Sequence, residues 1–183
     1  MTPFIDRMIR AAKLDINLYE EVEADESALG QATGVVVLSS VASGVGLIET
    51  GGVAGVVVGT IMALVGWYVW AFLTYYIGTR LLPEPQTRAS HGELLRTIGF
   101  SSSPGLIRVF AIVPSLHNMV FLIAGIWMLV AMVIAVRQAL DYHSTLRAVG
   151  VCLIGWVVQA VILVLVLTMF GGLPEPMLEQ EPF

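Results

Sequence analysis

The stretch SHGELLRTIGFSSSPGLIRVFAIVP, residues 90–114, is the starting point for the fold, because its path sets the topology of every segment after it. It combines three consecutive serines and a proline with an otherwise apolar run. It also holds Arg108, which we interpret as the only Lys or Arg of the chain that cannot easily be placed in water. Whether this stretch crosses a bilayer is therefore the first question that the sequence raises.

Two helical pieces are predicted within this stretch. Ser90 and Glu93 form a capping-box pattern, which predicts a helix that begins at His91. Ser103 followed by Pro104 predicts a second start, with the serine as the cap and the proline at the first helical position. Each piece is too short to cross a membrane, but 23 helical residues together reach about 34 Å, which is enough to span.

Composition places the chain in a bilayer. Its residues are 57% hydrophobic and 13% charged, with a mean hydropathy of +0.85, whereas soluble domains carry roughly 25% charge. Further apolar runs, at 28–48, 53–79, 118–136 and 148–170, predict four more spans. We therefore expect an all-α, polytopic membrane helix bundle of five transmembrane segments, with the third one broken or kinked.

The N-terminal residues predict a different kind of helix. Between residues 4 and 13, apolar and charged side chains fall on opposite arcs at 100° per residue, which is typical of an amphipathic helix lying in the membrane interface. A helix packed on a protein surface is the alternative. The predicted divisions are a cytoplasmic amphipathic and acidic segment at 1–27, a membrane domain at 28–170 and a short acidic tail at 171–183.

Small residues recur every four positions in the second span. Gly51, Gly55, Gly59 and Ala63 form one flat stripe, which allows two helix backbones to approach closely in lipid. We expect this stripe to pack against the first span, because the short turn between the two spans makes them antiparallel neighbours. A homodimer face is the alternative.

The distribution of charge predicts the orientation. If residues 91–113 span, eight basic residues lie on one side and none lies in the pieces 49–52, 114–117 and 171–183 on the other. The positive-inside rule then predicts a cytoplasmic N-terminus and a C-terminus outside. The net charge of −5 comes mostly from the two tails, so no nucleic-acid partner is expected.

No motif for catalysis, metal binding or cofactor binding is found. The sequence has no phosphate-binding loop, no cysteine pair and no His-Glu-x-x-His pattern. Its three histidines, His91, His117 and His143, are isolated from one another and cannot share a metal on the predicted topology. We therefore expect a protein that is not an enzyme and that holds no cofactor.

A few polar residues in apolar surroundings form a candidate intramembrane site. They are Arg108, Ser101, Ser102, Ser103, Gln159 and Glu49. Arg108 can extend to the interface, pair with Glu49, or bind an anion together with a half-helix that starts at Pro104. Gln159 can form an interhelical hydrogen bond or contact a transported solute.

Three blocks carry a family resemblance: FIDRMIRAAKLDINLYEEVEAD, GELLRTIGFSSSPGLIRVFAIVP and IWMLVAMVIAVRQALDYHSTLRAVGVCLIGW. Together, over residues 4–170, the chain resembles a bacterial-type member of the Yip family, the Ypt/Rab-interacting membrane proteins. The resemblance implies five spans. Eukaryotic relatives bind Rab-type GTPases in early secretory traffic through a long cytosolic N-terminal region. Only about 27 residues precede the first span here, and this departure argues against GTPase binding.

The expected function is therefore a non-enzymatic one in the cell (inner or plasma) membrane. Its partners would be the lipid bilayer and other membrane proteins, or a second copy of itself. We expect a scaffold, a membrane-organising protein or an accessory subunit of a membrane complex. The alternative is a small transporter or channel component with a polar site at the broken third span.

Overall fold

A computed structural model describes residues 3–169, and every regular element in that range is helical. The α-helices are α1 Pro3–Ala12, α2 Ile16–Ala24, α3 Leu29–Gly46, α4 Ile48–Tyr76, α5 His91–Ser101, α6 His117–Ala139 and α7 Thr145–Met169. Shorter elements are the 3-10 helices Glu26–Ala28, Ser103–Ile112 and Pro114–Leu116 and the π-helix Ile77–Leu81. The all-α class is confirmed for this range, and the predicted tail at 171–183 lies outside it.

Four helical stretches are long and apolar enough to cross a membrane. They are Glu26–Gly46, Gly51–Leu81, Pro114–Ala139 and Thr145–Met169. The remaining predicted span, made of α5 and the 3-10 helix Ser103–Ile112, is not one of the four. Its α-helical part has only 11 residues, and its apolar run is interrupted by Glu93, Arg96 and Arg108.

The third segment is broken where the sequence predicts, but its second half has a different form. The capping box is confirmed, since the Ser90 hydroxyl accepts from the Glu93 N–H at 3.2 Å and the Glu93 carboxylate accepts from the Ser90 N–H at 2.8 Å. The second piece is a 3-10 helix, and Ser103 is not its cap. The Ser102 and Gly105 N–H groups bond to carbonyls three residues earlier, at 3.2 and 2.9 Å, so the chain keeps turning through the break.

A period of three residues explains why this half packs as it does. In a 3-10 helix, side chains at i and i+3 align, which puts Gly105, Arg108 and Ala111 on one line facing α3. A β-carbon on Gly46 of α3 would lie 2.8 Å from the Arg108 carbonyl oxygen and 3.0 Å from the Ala111 β-carbon. The approach therefore depends on small residues on both elements.

The broken segment and α3 run side by side in the same direction. Gly99 contacts Ala32, where a β-carbon on the glycine would lie 2.7 Å from that of the alanine. Further along, Gly105 contacts Ser39, and beyond it Ala111 contacts Gly46. The contacts thus extend over residues 32–46 of α3, about 21 Å of helix.

The turn between α3 and α4 is tighter than predicted. Only Leu47 separates the two helices, and α4 bends at Gly52, where φ is +58° and ψ is −169°. A side chain there would be strained, so the bend requires glycine. The close contact between the helices forms at Gly44, whose built β-carbon would lie 3.0 Å from the side chain of Val56.

The glycine stripe of α4 does not make the predicted contact with the first span. No atom of residues 3–169 outside the stripe's own helix lies within 4 Å of a β-carbon built on Gly51, Gly55 or Gly59. The reason is that Val56, next to the stripe, fills the space against α3. The stripe is left open, and its role in helix packing with another partner stays a prediction.

The two N-terminal helices belong to the packed bundle. Leu18, Tyr19 and Val22 of α2 are fully buried in a cluster with residues of α3, α5 and α6. In α1, Phe4 and Met8 pack against the same cluster, and the Trp127 indole N–H donates to the Ala12 carbonyl at 2.8 Å. The apolar face of α1 therefore contacts protein to a large extent, as in the alternative interpretation, while its location relative to a membrane stays a prediction.

One end of the bundle, which we call the charged end, is formed by two loops that are tied together. The Glu84 carboxylate accepts from the His143 N–H at 3.0 Å, and Arg147 lies 3.5 Å from it. The Tyr142 hydroxyl lies 2.9 and 2.7 Å from the carbonyl oxygens of Gly78 and Leu82. Residues 82–90 and 140–144 thus meet, whereas the α3–α4 turn and residues 114–118 meet at the opposite end around a shared groove.

Candidate functional site

Arg108 borders a groove of about 300 Å³ between α3 and α4. Its other lining residues are mostly small, and they include Ser40, Ser43, Gly44, Gly55, Gly59 and Ala63. The Arg108 guanidinium lies 5.5 Å from the ring centroid of Phe121, within the range of a cation–π contact. Its Nε atom is buried without a hydrogen-bond partner, so the ring holds the group in place but does not satisfy its donors.

Glu49 does not reach Arg108. It lines a second groove, of about 310 Å³, together with Pro114, His117 and Asn118. The ion pairs formed within residues 3–169 do not include one between Arg108 and Glu49. The pairing that the sequence suggested is therefore not present in this arrangement.

The three serines are used in local packing. The Ser101 hydroxyl donates to the Ile98 carbonyl of its own helix at 2.7 Å. Ser103 is buried with an unpartnered hydroxyl, and the half-buried Ser102 leads into the 3-10 helix. None of the three lines the Arg108 groove, because the continuing 3-10 turns close the break instead of opening it.

Gln159 lies on α7, one turn beyond Gly155. Gly155 packs against the Trp70 ring of α4, at 3.3 Å from a built β-carbon. The Gln159 Oε1 atom is buried and has no hydrogen-bond partner. The six predicted polar residues therefore do not converge on one site: Arg108 borders one groove, Glu49 lines the other, and the three serines and Gln159 line neither.

Arg96 is a second basic residue inside the protein, which corrects the interpretation of Arg108 as the only one. Its exposed fraction is 7%. The guanidinium donates to the Val22 carbonyl at 2.9 Å and to the Glu23 carbonyl. These are the last carbonyls of α2, where a cation is also favoured by the helix dipole. Its partners lie 73 and 74 residues away, so no local pattern could have revealed this role.

Glu23 lies in an acidic neighbourhood at the charged end. Desolvation by burial, reinforced by the nearby charges of Asp141, Glu20 and Glu93, raises the pKa of the Glu23 carboxyl to about 8, with Arg96 acting in the opposite direction. One of its oxygens is buried without a partner. This carboxyl therefore changes charge in the neutral pH range.

A network of ion pairs fixes α1 on α2. Arg7 contacts Glu21 and Asp25, each at 2.8 Å, and Arg10 contacts Glu21 at 2.6 Å and Asp15 at 2.8 Å. Hydrogen bonds from Ser27 and then from Arg7 hold the pKa of the Asp25 carboxyl below its ordinary value. Asp25 also accepts from the Ser27 N–H and so caps the turn that leads into α3.

Residues that could bind a metal ion or react as a nucleophile are few in the described part of the chain. Among residues 3–169, no group of three or more His, Cys, Asp or Glu side chains is arranged to hold a metal ion. The lone cysteine, Cys152, is buried among apolar side chains. What the described residues do offer to a partner is the two grooves, one bordered by Arg108 and one lined by Glu49.

Comparison with known proteins gives one result. No curated protein and no solved structure matches this chain. The family model of the Yip1 domain matches residues 19–172, a range that begins within α2, includes both halves of the broken segment and continues through α7. With this match and with four helices able to cross a membrane, the chain belongs to the Yip1 domain family of membrane proteins.

Proposed function

We propose that this protein is a non-enzymatic scaffold or accessory subunit that organises other proteins within a cell membrane, and that it crosses this membrane five times. The observation that carries the proposal is the outer part of α7. Its large apolar side chains between Leu153 and Met169 are mostly exposed, and among them lies the half-buried Gln159, whose Oε1 atom has no hydrogen-bond partner among residues 3–169. In lipid, such an amide is best satisfied by a neighbouring helix.

The polar side chains lie apart from one another, which favours a role in protein assembly over a role in solute transport. A transport site needs several polar groups that converge on one cavity near the middle of the membrane. Here Ser101 bonds within its own helix, Ser103 is buried, and Gln159 lies on a different helix from Arg108. These positions favour contacts between proteins.

Five crossings are supported by the path of the third segment. Its 11 α-helical and ten 3-10 residues reach about 36 Å, which exceeds the ~30 Å of a hydrocarbon core. It also runs along α3, itself one of the four candidate spans. With the N-terminus cytoplasmic, the charged end lies on the cytoplasmic side, as the positive-inside rule requires.

The role is tested by affinity purification of the full-length protein from its native membrane in mild detergent. We expect stoichiometric co-purification of another membrane protein, and a clear loss of that partner in Gln159→Leu. Val157→Leu, an apolar change on the exposed surface of the same helix, is the matched control and should retain it.

Solute flux provides the opposing outcome. Pure protein in proteoliposomes should conduct no more solute than empty vesicles. Flux that depends on Arg108, together with the absence of any partner, would replace the scaffold role with that of a small transporter or channel component.

A further inference from the structure

We propose that the groove between α3 and α4 binds the phosphate of a membrane phospholipid on Arg108, with an acyl chain along the glycine stripe of α4. This site goes beyond the proposed scaffold role and does not depend on it. Among the described residues that line this groove, Arg108 is the one that carries a charge.

The guanidinium needs an anion that the described residues do not supply. Its Nε atom is buried without a partner, and the ion pairs within residues 3–169 do not include it. The contact with Phe121, at 5.5 Å, orients the charge without accepting its hydrogen bonds. Guanidinium groups bind phosphate through paired, charge-assisted hydrogen bonds, and Ser43 adds a hydroxyl to the same lining.

The depth of Arg108 suits a lipid headgroup. Its carbonyl contacts Gly46, the last residue of α3, so the residue lies close to the end of that helix. The same groove is lined by Leu47, Gly51 and Gly52 of the turn. It therefore extends from the turn, at the end of the bundle opposite the charged end, to the guanidinium.

The remaining length of the groove suits an acyl chain. Gly55, Gly59 and Ala63 continue the lining along α4 for about 12 Å beyond the turn. In the described part of the chain, no neighbouring element comes within 4 Å of a β-carbon built on either of the two glycines. The surface is flat and apolar, and it leads directly away from the cation, which matches a molecule with a phosphate at one end and hydrocarbon at the other.

A second copy of the chain is a poorer occupant. In a two-fold contact through this stripe, the same surface serves both copies, so two Arg108 side chains would approach each other. Glu49, the acidic residue nearest in sequence to the turn, lines the other groove and cannot neutralise them. Like charges brought together in an apolar layer oppose such a dimer.

The test measures the thermal unfolding of the full-length protein in detergent. The reporter is the thiol of Cys152, which is buried in the folded protein and reacts with a thiol reagent when the protein unfolds. The probes are dioctanoyl phosphatidylglycerol, dioctanoylglycerol, which lacks the phosphate, and inorganic phosphate. We expect a rise in the unfolding midpoint with the first probe only. Equal stabilisation by dioctanoylglycerol, or by inorganic phosphate alone, would overturn the proposal, the latter in favour of a free anion.

Substitutions then locate the site. Arg108→Ala should weaken the apparent affinity for phosphatidylglycerol about tenfold or more, and Arg108→Lys should retain part of it. Arg88→Ala, which removes an exposed arginine of the 82–90 loop, is the charge control and should behave as wild type. Unchanged affinity in Arg108→Ala would contradict the assignment.

A variant that leaves Arg108 in place covers the case in which Arg108→Ala does not fold. Gly55→Leu fills the groove, and it should fold and yet lose the phosphatidylglycerol effect. Gly125→Leu is its matched control, since Gly125 is a helical glycine with the same open surroundings outside the groove. If Gly55→Leu still binds phosphatidylglycerol, the groove is not the lipid site. If the wild type is a dimer and Gly55→Leu is a monomer, the groove is instead an interface with a second copy of the chain.

Discussion

Two arginines, Arg96 and Arg108, lie inside the bundle, and their guanidinium groups are stabilised by different surroundings. Arg96 donates to the Val22 and Glu23 carbonyls, so backbone dipoles at the end of α2 stabilise it. Arg108 has an aromatic ring on one side and a groove on the other. The first arginine therefore holds two elements together, and the second is available to a ligand.

The buried carboxyl of Glu23 predicts that the stability of the protein depends on pH. The pKa of its carboxyl is about 8 in the folded protein, against an ordinary value near 4.3. Between these values the folded state keeps a proton that the unfolded state releases, so the free energy of unfolding falls as pH rises. A pKa shift contributes ~1.4 kcal/mol per unit at most, and relaxation of the protein and entry of water around the carboxyl reduce this value. We therefore expect the free energy of unfolding to fall by about 1–3 kcal/mol from pH 5 to pH 9.

The measurement is the free energy of unfolding in detergent across that pH range, for the wild type and Glu23→Gln. The substitution should remove most of the slope and make the protein more stable than wild type at pH 9. Glu26→Gln alters an exposed acid close by and should leave the slope unchanged. An equally steep fall in Glu23→Gln would assign the dependence to other groups.

At the scale of elements, local signals predicted the start of the third segment but not its later course. Ser90 and Glu93 lie three residues apart and cap a helix through their own hydrogen bonds, so the sequence alone reveals them. The 3-10 form of residues 103–112 depends on close contact with α3 at Ser39 and Gly46. No short stretch of sequence contains both partners of such a contact.

The crossing of this segment predicts which loops share a side of the membrane. In a background of Cys152→Ser, we compare Ser115→Cys with Arg88→Cys, because these positions are exposed and flank the segment. An impermeant thiol reagent added to intact cells should label position 115 and spare position 88. A permeant reagent, as the control, should label both.

Positions 88 and 115 distinguish the two topologies, because both would lie on the same side of the membrane if the third segment did not cross it. Equal protection or equal labelling of the two cysteines by the impermeant reagent would therefore reduce the number of crossings to four. Labelling of position 88 alone would retain five crossings and invert the orientation.

Two hydrophobic clusters form the core of the bundle, and they are connected through α5 and α6. One joins α1 and α2 with Val35, Phe100 and Ala135, and the other joins α4, α5, α6 and α7 around Leu94 and Leu140. Hydropathy predicted the apolar helices, since lipid-facing residues dominate their composition. It could not predict that α2 is a core element, because only the contacts of its buried residues with distant helices distinguish it from a soluble linker.

We expect the N-terminal helices and the membrane helices to unfold together. Leu18 of α2 is 0% exposed, so Leu18→Ala should lower the free energy of unfolding by about 2–4 kcal/mol. The reporter is Cys152, which is 7% exposed and belongs to the other cluster. Because α5 and α6 contribute to both clusters, loss of packing around Leu18 should expose the thiol at a lower temperature.

Leu146→Ala is the matched control, since Leu146 is 80% exposed and its truncation should change stability by less than ~0.5 kcal/mol. Thiol labelling on a temperature ramp would be compared with the loss of helical circular dichroism. Leu18→Ala could lower the temperature of an early phase in the dichroism while Cys152 is still labelled at its wild-type temperature. That result would mean that α1 and α2 unfold as a separate segment. Coincident shifts of both signals instead require that α1 and α2 stabilise the entire bundle, because a two-state transition exposes both clusters at once.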